Sequence, residues 1–341
     1  MHLSLITTED AWSNLKLEWD ALLKRSITQV PFLLWDYLSA WWQTKGGGEW
    51  PMDSSNLAIV IARESDQLIG IAPLFISEKP DHPRALRFIG QVEVCDYLDL
   101  IAAPQDLERF TSKLLAFVAQ EPKLIGLPLL LDNILEESPT IAALKAAAAE
   151  QNWHFNDEVL QPSPYIPMAS DWEEYLAGLD KKQRHEIRRK LRNATTQHDS
   201  SWYIMQHSEN CQEEMDAFLS MMRNEPDKDT FLNPLMVDFM QAVAEAACEN
   251  EILQLAFLVM DGKKAGAYLS FINDKKLLVY NSAWNPKFSQ FSPGWVLLAH
   301  MIQWAIENGF SEVDMMRGSE SYKYKFGGVD RHVLSVTLMP A

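Results

Sequence analysis

Cysteine is scarce in this chain of 341 residues: Cys95, Cys211 and Cys248 are far apart and odd in number. No CxxC pair exists, so neither a disulfide framework nor a zinc site is expected, and a reducing cytoplasm is the compartment that fits. Long apolar runs are missing too. The longest, residues 125–131, is interrupted by Gly126 and Pro128 and is far too short to span a bilayer. The start, Met1-His2-Leu3-Ser4-Leu5, lacks the charged region and extended apolar stretch of a signal peptide. Positive charge is in deficit, and the net charge of −17 repels a phosphate backbone unless a local basic patch intervenes. DNA and wholesale membrane binding are therefore disfavoured as partners. The eight histidines are scattered without ligand spacing, so no metal is expected. G-x-S-x-G, H-E-x-x-H, Walker and Rossmann patterns are also absent, which removes the commonest hydrolase, protease and nucleotide-binding templates.

What is present is apolar material. At 47% of the chain it suffices for two ordinary cores, and the length suggests two domains. Twelve tryptophans, several at helical spacing, are expected to be packing residues. Trp12, Leu15, Trp19 and Leu22 predict a helix over 9–24, and Trp35, Leu38 and Trp42 a second, stopped by Gly46-Gly47-Gly48. A hairpin comes next, with strands at 57–62 and 68–76 around a polar turn at 64–67. Strands near 86–89 and 97–101, a helix carrying Leu107, Phe110, Leu114 and Phe117, a strand at 127–131 and a helix at 139–150 complete the first half. Gln161-Pro162-Ser163-Pro164 reads as a linker. Residues 172–250 are rich in helix. A second hairpin then pairs 253–260 with 265–272 around Asp261-Gly262-Lys263-Lys264. Beyond it lie a strand at 277–283, a helix with Leu298, Met301, Ile302 and Ala305 ended by Gly309, and strands at 312–315 and 333–339.

The two hairpins resemble each other. A shift of 196 residues lays Gly70 on Gly266, Phe75 on Phe271 and Ile76 on Ile272, which suggests a degenerate internal duplication. The expected fold class is α/β with mixed sheets and packed helices, in domains covering 1–160 and 161–341.

Four segments could carry chemistry. In 285–298 a strand runs through a Pro- and Gly-containing turn into a helix, whose unpaired N–H groups and dipole suit phosphate. The alternative is an ordinary strand-to-helix turn. In 313–328 charged residues crowd a strand end. Glu320 or Asp314 could take a proton, Arg317 and Lys323 could hold negative charge, and Tyr322 could protonate a leaving thiolate. A solvated, salt-bridged turn is the competing explanation. In 181–192, Lys181, Arg184, His185, Arg188 and Arg192 share a helical stripe beside Ile187 and Leu191. That stripe suits a polyphosphate, a nucleotide-sugar or an acidic partner, or is simply a solvated face. In 95–100, Tyr97 and Asp99 share a strand face and could bind a polar acceptor at a domain interface, or merely cap a strand end.

The chain also resembles a known group. Val30-Pro31-Phe32 with Trp35 and Trp41, Asp96-Tyr97-Leu98-Asp99-Leu100, the basic helix after Trp172, Asp261-Gly262, Phe291-Ser292-Pro293-Gly294, and Asp314 to Arg317-Gly318 with Glu320, Tyr322 and Lys323 carry the likeness. The group is the BioF2-like or CelD/BcsL-type acetyltransferases of the GNAT superfamily, relatives of the Fem-type peptidyltransferases. The resemblance covers most of the chain. It implies tandem GNAT-like domains and transfer of an acyl group from acyl-CoA, usually acetyl-CoA, as co-substrate. The acceptor would be an amine or hydroxyl of an envelope precursor, polysaccharide or small molecule. On this template Ser282, Ala283, Trp284, Ser292, Gly294, Trp295 and Arg317 would bind the donor. Glu320, Tyr322, Lys323 and Asp314 would be catalytic, and Tyr97, Asp99, Arg184 and Arg188 would meet the acceptor. The donor loop departs from the Q/R-x-x-G-x-G/A pattern: Gly294 matches its last glycine, but Ser292 and Ser289 replace the first glycine and the Gln or Arg. Pro293 removes one N–H donor.

Two rival functions stand beside this one. A Fem-like aminoacyl-tRNA-dependent transferase is favoured by the basic stripe but opposed by the overall charge and by the lack of heptads for a coiled-coil arm in 172–250. A degenerate GNAT module that only binds is favoured by the imperfect donor loop. The leading reading requires the turn at Gly294 to face the cluster around Glu320 across a single cleft.

Overall fold

The computed structural model describes residues 1–79, 82–197, 199–205 and 210–340. The chain forms two compact units, Met1–Gln161 with His332–Ala341, and Pro162–Arg331.

The first unit opens with β1 (His2–Ile6) and the helices α1 (Glu9–Ser13), α2 (Lys16–Leu23) and α3 (Trp35–Gly48). The helix expected over 9–24 is broken in two, because the Leu15 N–H turns back to the Trp12 carbonyl at 2.9 Å. Helix α3 loses its right-handed course at Lys45, Gly46 and Gly47, which all adopt left-handed φ/ψ, so the glycine run does stop it. The strands β2 (Ser55–Leu57), β3 (Ile59–Glu64), β4 (Gln67–Ala72), β5 (Leu74–Ser77), β6 (Ala85–Phe88) and β7 (Ile101–Ala102) come after it. The strand expected over 68–76 is two strands in two sheets. Pro73, with no N–H to give to a ladder, lies at the change. Then come α4 (Leu107–Val118), β8 (Leu129–Leu135), α5 (Pro139–Gln151) and β9 (His154–Pro162). Ser138 caps α5 through the Thr140 N–H at 3.2 Å, and Pro139 supplies its first turn.

The second unit contains β10 (Tyr165–Pro167), α6 (Trp172–Gly178), α7 (Lys181–Gln197), β11 (Ser200–Ile204), α8 (Cys211–Met222), α9 (Pro226–Phe231) and α10 (Pro234–Glu249). After these come β12 (Leu253–Met260), β13 (Lys263–Asn273), β14 (Lys276–Trp284), α11 (Pro293–Glu307), β15 (Glu312–Asp314) and α12 (Ser321–Lys325). Asp180 caps α7 through the Lys182 and Gln183 N–H groups, and Asn233 caps α10 through Met236. Asp261 and Gly262, both with positive φ, make the tight turn between β12 and β13.

The last strand, β16 (His332–Met339), returns to the first unit and pairs antiparallel with β8. Order along the chain alone assigns this strand, with everything after residue 160, to the second half. Its alternating Val333, Val336 and Leu338 complete the core on β8 instead.

Among the described residues three sheets result, in the orders β1-β3-β4-β7, β2-β5-β6-β8-β16-β9 and β10-β15-β14-β13-β12-β11. In the last, β14 and β15 are parallel and the pairs from β11 through β14 are antiparallel. On it α6, α7 and α11 close a core around Tyr268, Leu277, Val279, Leu297, Leu298, Met301 and Ile302. The cysteines also depart from expectation. Cys211 at the start of α8 and Cys248 near the end of α10 form a disulfide, 37 residues apart in sequence. Their spacing gave no sign of a partnership that the packing of two helices creates. Among the described residues no helix is long and apolar enough to cross a membrane.

Candidate active site

The site begins with an unfinished strand pairing. β15 pairs with β14 only at Lys276↔Glu312, Leu277↔Val313 and Leu278↔Asp314. Beyond Asp314 the chain turns away: Met315 N–H bonds the Pro164 carbonyl and Gly318 N–H the Pro162 carbonyl, both at 2.9 Å. β14 meanwhile runs on to Trp284. The Asn285 N–H to Ala265 carbonyl bond, 2.9 Å, marks Gly266↔Trp284 as a pair that exchanges no hydrogen bonds. Alternation along the register then turns the N–H and C=O of Ser282 and Trp284 toward the open edge, and those of Ala283 toward Ala267 on β13. Of the two, Trp284 keeps a backbone role open to it, since the Ser282 N–H bonds the Asn281 side-chain oxygen at 2.8 Å and its carbonyl accepts from Lys228. Ala283, also named for the donor, is committed to the sheet and buried.

The second part is the start of α11. A short 3-10 turn, Pro286–Phe291, is capped by Asn285 and leads to Ser292, which takes a left-handed conformation (φ 53°). Ser292 does not cap the helix. Its hydroxyl is held by the Lys190 ammonium of α7, which also lies 5.1 Å from the Trp295 ring. Val296 N–H takes the Ser292 carbonyl at 3.1 Å, and Pro293 has no N–H. The first-turn N–H groups of Gly294 and Trp295 are left without an intrahelical acceptor. A side chain added at Gly294 would meet only the Tyr268 hydroxyl, at 3.8 Å, so the approach there is roomy. The Trp295 indole N–H is buried without a partner, and Lys325 stands 5.9 Å from the same ring. Exposed helix N–H groups, two ammonium groups and an unfilled indole donor suit an anionic group such as a phosphate.

The third part is the cluster after β15. Tyr322 is pushed up to about 12 by burial, with the Glu320 charge adding to the effect. Tyr268 is raised as well, by its own burial first and by proximity to Tyr322. The turn at Gly294 and the Glu320 cluster thus converge on Tyr268, on the same side of the sheet. The Trp295 ring of that turn packs directly on the Phe326 ring at the end of α12, with centroids 4.7 Å apart. The open feature is the edge of β14 beside them.

Several residues have other duties than the sequence suggested. Asp314 is buried in an ion pair with Arg331 and accepts the Met316 N–H at 2.9 Å, so it is a brace and not a free base. Lys323, 3% exposed, donates to the carbonyls of Met316, Arg317 and Gly318 and pairs with Glu320 at 3.0 Å. It folds the loop and has no place to hold a ligand. Arg317, half-buried, lends its carbonyl to that cage. Glu320 keeps its side chain 58% exposed, within reach of water, but leans on Lys323.

The acceptor residues divide likewise. Asp99 is fully buried and accepts from Thr28 at 2.5 Å, Ser138 at 2.6 Å and the Leu100 N–H at 2.8 Å. Tyr97 is 1% exposed and packs edge-on against Phe32. Both are core residues of the first unit and cannot meet an acceptor. Arg184 and Arg188 do sit on the solvent side of α7. Arg188 pairs with Glu173 and Arg184 bonds the Ala177 carbonyl at 3.3 Å, so both have local partners on the protein.

Sequence reasoning missed Tyr268, Lys190, Lys228 and Glu225. Lys190 carried one signal, its place three residues beyond the buried Ile187 on the docked face of α7. Pro226 after Glu225 marked the start of α9, with Lys228 three residues on.

These features coincide with what comparisons find. Residues 181–324 match the family model described as Acetyltransferase (GNAT) domain. No curated protein matches the chain. Among solved structures, FemX superposes with a TM-score of 0.66 at 12% identity, over 100% of this chain and 98% of that one. A tandem GNAT protein from the clavulanic acid biosynthesis pathway gives 0.50 at 11% identity over 98% of both chains. L-PGS from Bacillus licheniformis gives 0.51 at 12% identity, over 82% of this chain and 83% of that one. At these identities the likeness is one of fold. The fold is α/β with mixed sheets in tandem GNAT-like form, and the segment that matches the GNAT acetyltransferase model lies within the second unit.

Proposed function

We propose that the chain is an acyltransferase that moves an acyl group from acyl-CoA, acetyl-CoA in the first instance, to an amine or hydroxyl of a small-molecule or glycan-precursor acceptor. The observation that carries this reading is the open edge of β14 lying next to the first turn of α11, inside the segment that matches the GNAT model.

The residues present fit such a donor. Gly294 and Trp295 N–H groups, with Lys190 and Lys325, would hold its phosphates. The edge of β14 at Trp284 would take a pantetheine amide as a neighbouring strand would. The thioester supplies an activated acyl carbon and a stable leaving group. Tyr322, kept neutral by burial, has a phenol proton to give to a departing sulfur. Glu320, exposed beside it, can pass a proton to water.

Calorimetric titration with acetyl-CoA, followed by a CoA-release assay against an acceptor panel, tests the proposal. Binding with release on at least one amine or hydroxyl is expected. No heat and no release would remove it. The likeness to FemX, together with exposed Arg188 and Arg192 on α7, favours as a second reading an aminoacyl-tRNA-dependent transferase. A gel shift with charged tRNA at moderate salt separates the two.

A further inference from the structure

Ser282 faces the open edge of β14, but its backbone N–H is already in use: the Asn281 side-chain oxygen accepts it at 2.8 Å. That amide is therefore not available to hold an acyl oxygen. The Ser282 carbonyl is in use as well, and by a cation. Lys228 of α9 donates to it at 2.5 Å. Glu225, one turn earlier, holds the same ammonium at 2.9 Å. Neither side chain is fully exposed (26% for Lys228, 30% for Glu225), so the pair is only partly screened by water.

The helix that precedes this pair, α8, lies on the face of the sheet away from the donor turn. Tyr268 belongs to the core that α7 and α11 build on the sheet. Gly266, one step along β13 on the same face, meets Pro293 of α11. α9 comes after α8, which packs against β13 and β14 but contributes nothing to that core. An acyl group that reaches the β14 edge at Ser282 would come within reach of the Lys228 ammonium bonded there. Three N–H donors are present on an ammonium, and Ser282 and Glu225 occupy two.

Building on the acyltransferase reading, we propose that Lys228 is a catalytic residue whose ammonium holds the acyl oxygen of the thioester substrate as that oxygen gains charge, with Glu225 as its positioning residue. The acceptor nitrogen or oxygen forms the new bond to the acyl carbon. The carbonyl π pair moves onto the oxygen beside Lys228, then returns as the C–S bond breaks. Sulfur departs with the electron pair of that bond. The proton shed by the nucleophile ends on the sulfur, by way of Tyr322 or solvent. Lys228 stays protonated throughout. Preorganised charge aimed at a developing oxyanion is the most effective single contribution a site can make to this step.

The experiment compares full-length wild type with Lys228→Met, Lys228→Arg and Glu225→Gln, using acetyl-CoA labelled with carbon-13 at the carbonyl. Infrared difference spectra of the bound donor are expected to show the carbonyl stretch lowered in wild type, returned to its solution value in Lys228→Met, and lowered again in Lys228→Arg. The acetyl-CoA affinity of Lys228→Met should stay within about twofold of wild type. CoA release with hydroxylamine as nucleophile should fall about a hundredfold or more. Glu225→Gln should lose about tenfold in rate with its KM for acetyl-CoA unmoved. Should Lys228→Met not fold, Lys228→Gln takes its place. A donor carbonyl equally shifted in the Met or Gln variant, with wild-type release, overturns the role of Lys228 while leaving the acyltransferase reading intact. A wild type that binds no acetyl-CoA overturns that reading, and the role of Lys228 with it.

Discussion

Each unit places a glycine on the return strand of its hairpin and packs the next long helix against it. In the first unit a side chain at Gly70 of β4 would stand 2.7 Å from the Phe110 ring of α4. In the second, a side chain at Gly266 of β13 would stand 3.3 Å from Pro293 of α11. The plan is shared, as the shift of 196 residues implied. The two units differ in their polar side chains. Those of the first unit that looked chemical, Tyr97 and Asp99, are sealed and satisfied. In the second unit β14 outruns its partner, and partly exposed charge collects beside the open edge. Two units can thus keep one packing rule, with the candidate chemistry gathered at an unfinished strand edge in one.

Buried charge offers the sharpest contrast. In the second unit, Asp314→Ala would leave the buried Arg331 with only the longer Glu312 contact, 3.3 Å, and the Met316 N–H without its acceptor. A loss of about 3–5 kcal/mol in unfolding free energy is expected, read from urea melts with a probe in that unit. A loss below about 1 kcal/mol would mean the pair behaves as a surface contact and braces nothing.

The first unit's counterpart is Glu49, whose carboxylate accepts the Val92 and Glu93 N–H groups. Burial lifts it from the ordinary 4.5 to about 7. Because the folded value lies above the unfolded one, its contribution is fully present below pH 4.5 and is lost as pH rises through 7. Stability should fall across that window by on the order of 3 kcal/mol, and Glu49→Gln should flatten the fall. An unchanged slope in the variant would assign it to other groups.

The glycines themselves come next. Gly70→Ala must displace an aromatic ring and should cost about 1–3 kcal/mol. Gly266→Ala asks only a few tenths of an ångström of Pro293 and should cost about 1 kcal/mol or less. Equal costs, compared by thermal unfolding, would break the analogy between the two helix contacts. The smallest effect is at the donor turn. Lys190→Met should weaken acetyl-CoA binding about fivefold, ~1 kcal/mol, with no change in melting temperature. Unaltered affinity by titration would detach Lys190 from the site.

Much of the fold was legible in the chain. The hairpin at Asp261-Gly262, the stop at Gly46-Gly47-Gly48 and the helix ended by Gly309 are local events, written in backbone preferences that few neighbours can overrule. The return of β16 to β8 was not legible, because strand pairing between distant segments leaves no mark in either strand alone. The same holds for the Cys211–Cys248 disulfide. At the site, the turn at Gly294 and the strand before it were recognisable from the order strand, turn, helix. Lys323 and Asp314 misled for one reason: a charged residue at a strand end looks identical in sequence whether it awaits a ligand or is caged by carbonyls and an arginine. Lys228 was invisible because its meaning comes from the unpaired carbonyl it reaches, 54 residues away.

The central claim is that acyl-CoA lies along the free edge of β14 and against the first turn of α11. Amide hydrogen exchange with and without acetyl-CoA reads this directly. Slowed exchange at Trp284, Gly294 and Trp295 is expected, with the first unit unchanged. Donor-dependent protection confined to the first unit, or a bound donor that leaves those three amides as they were, would contradict it.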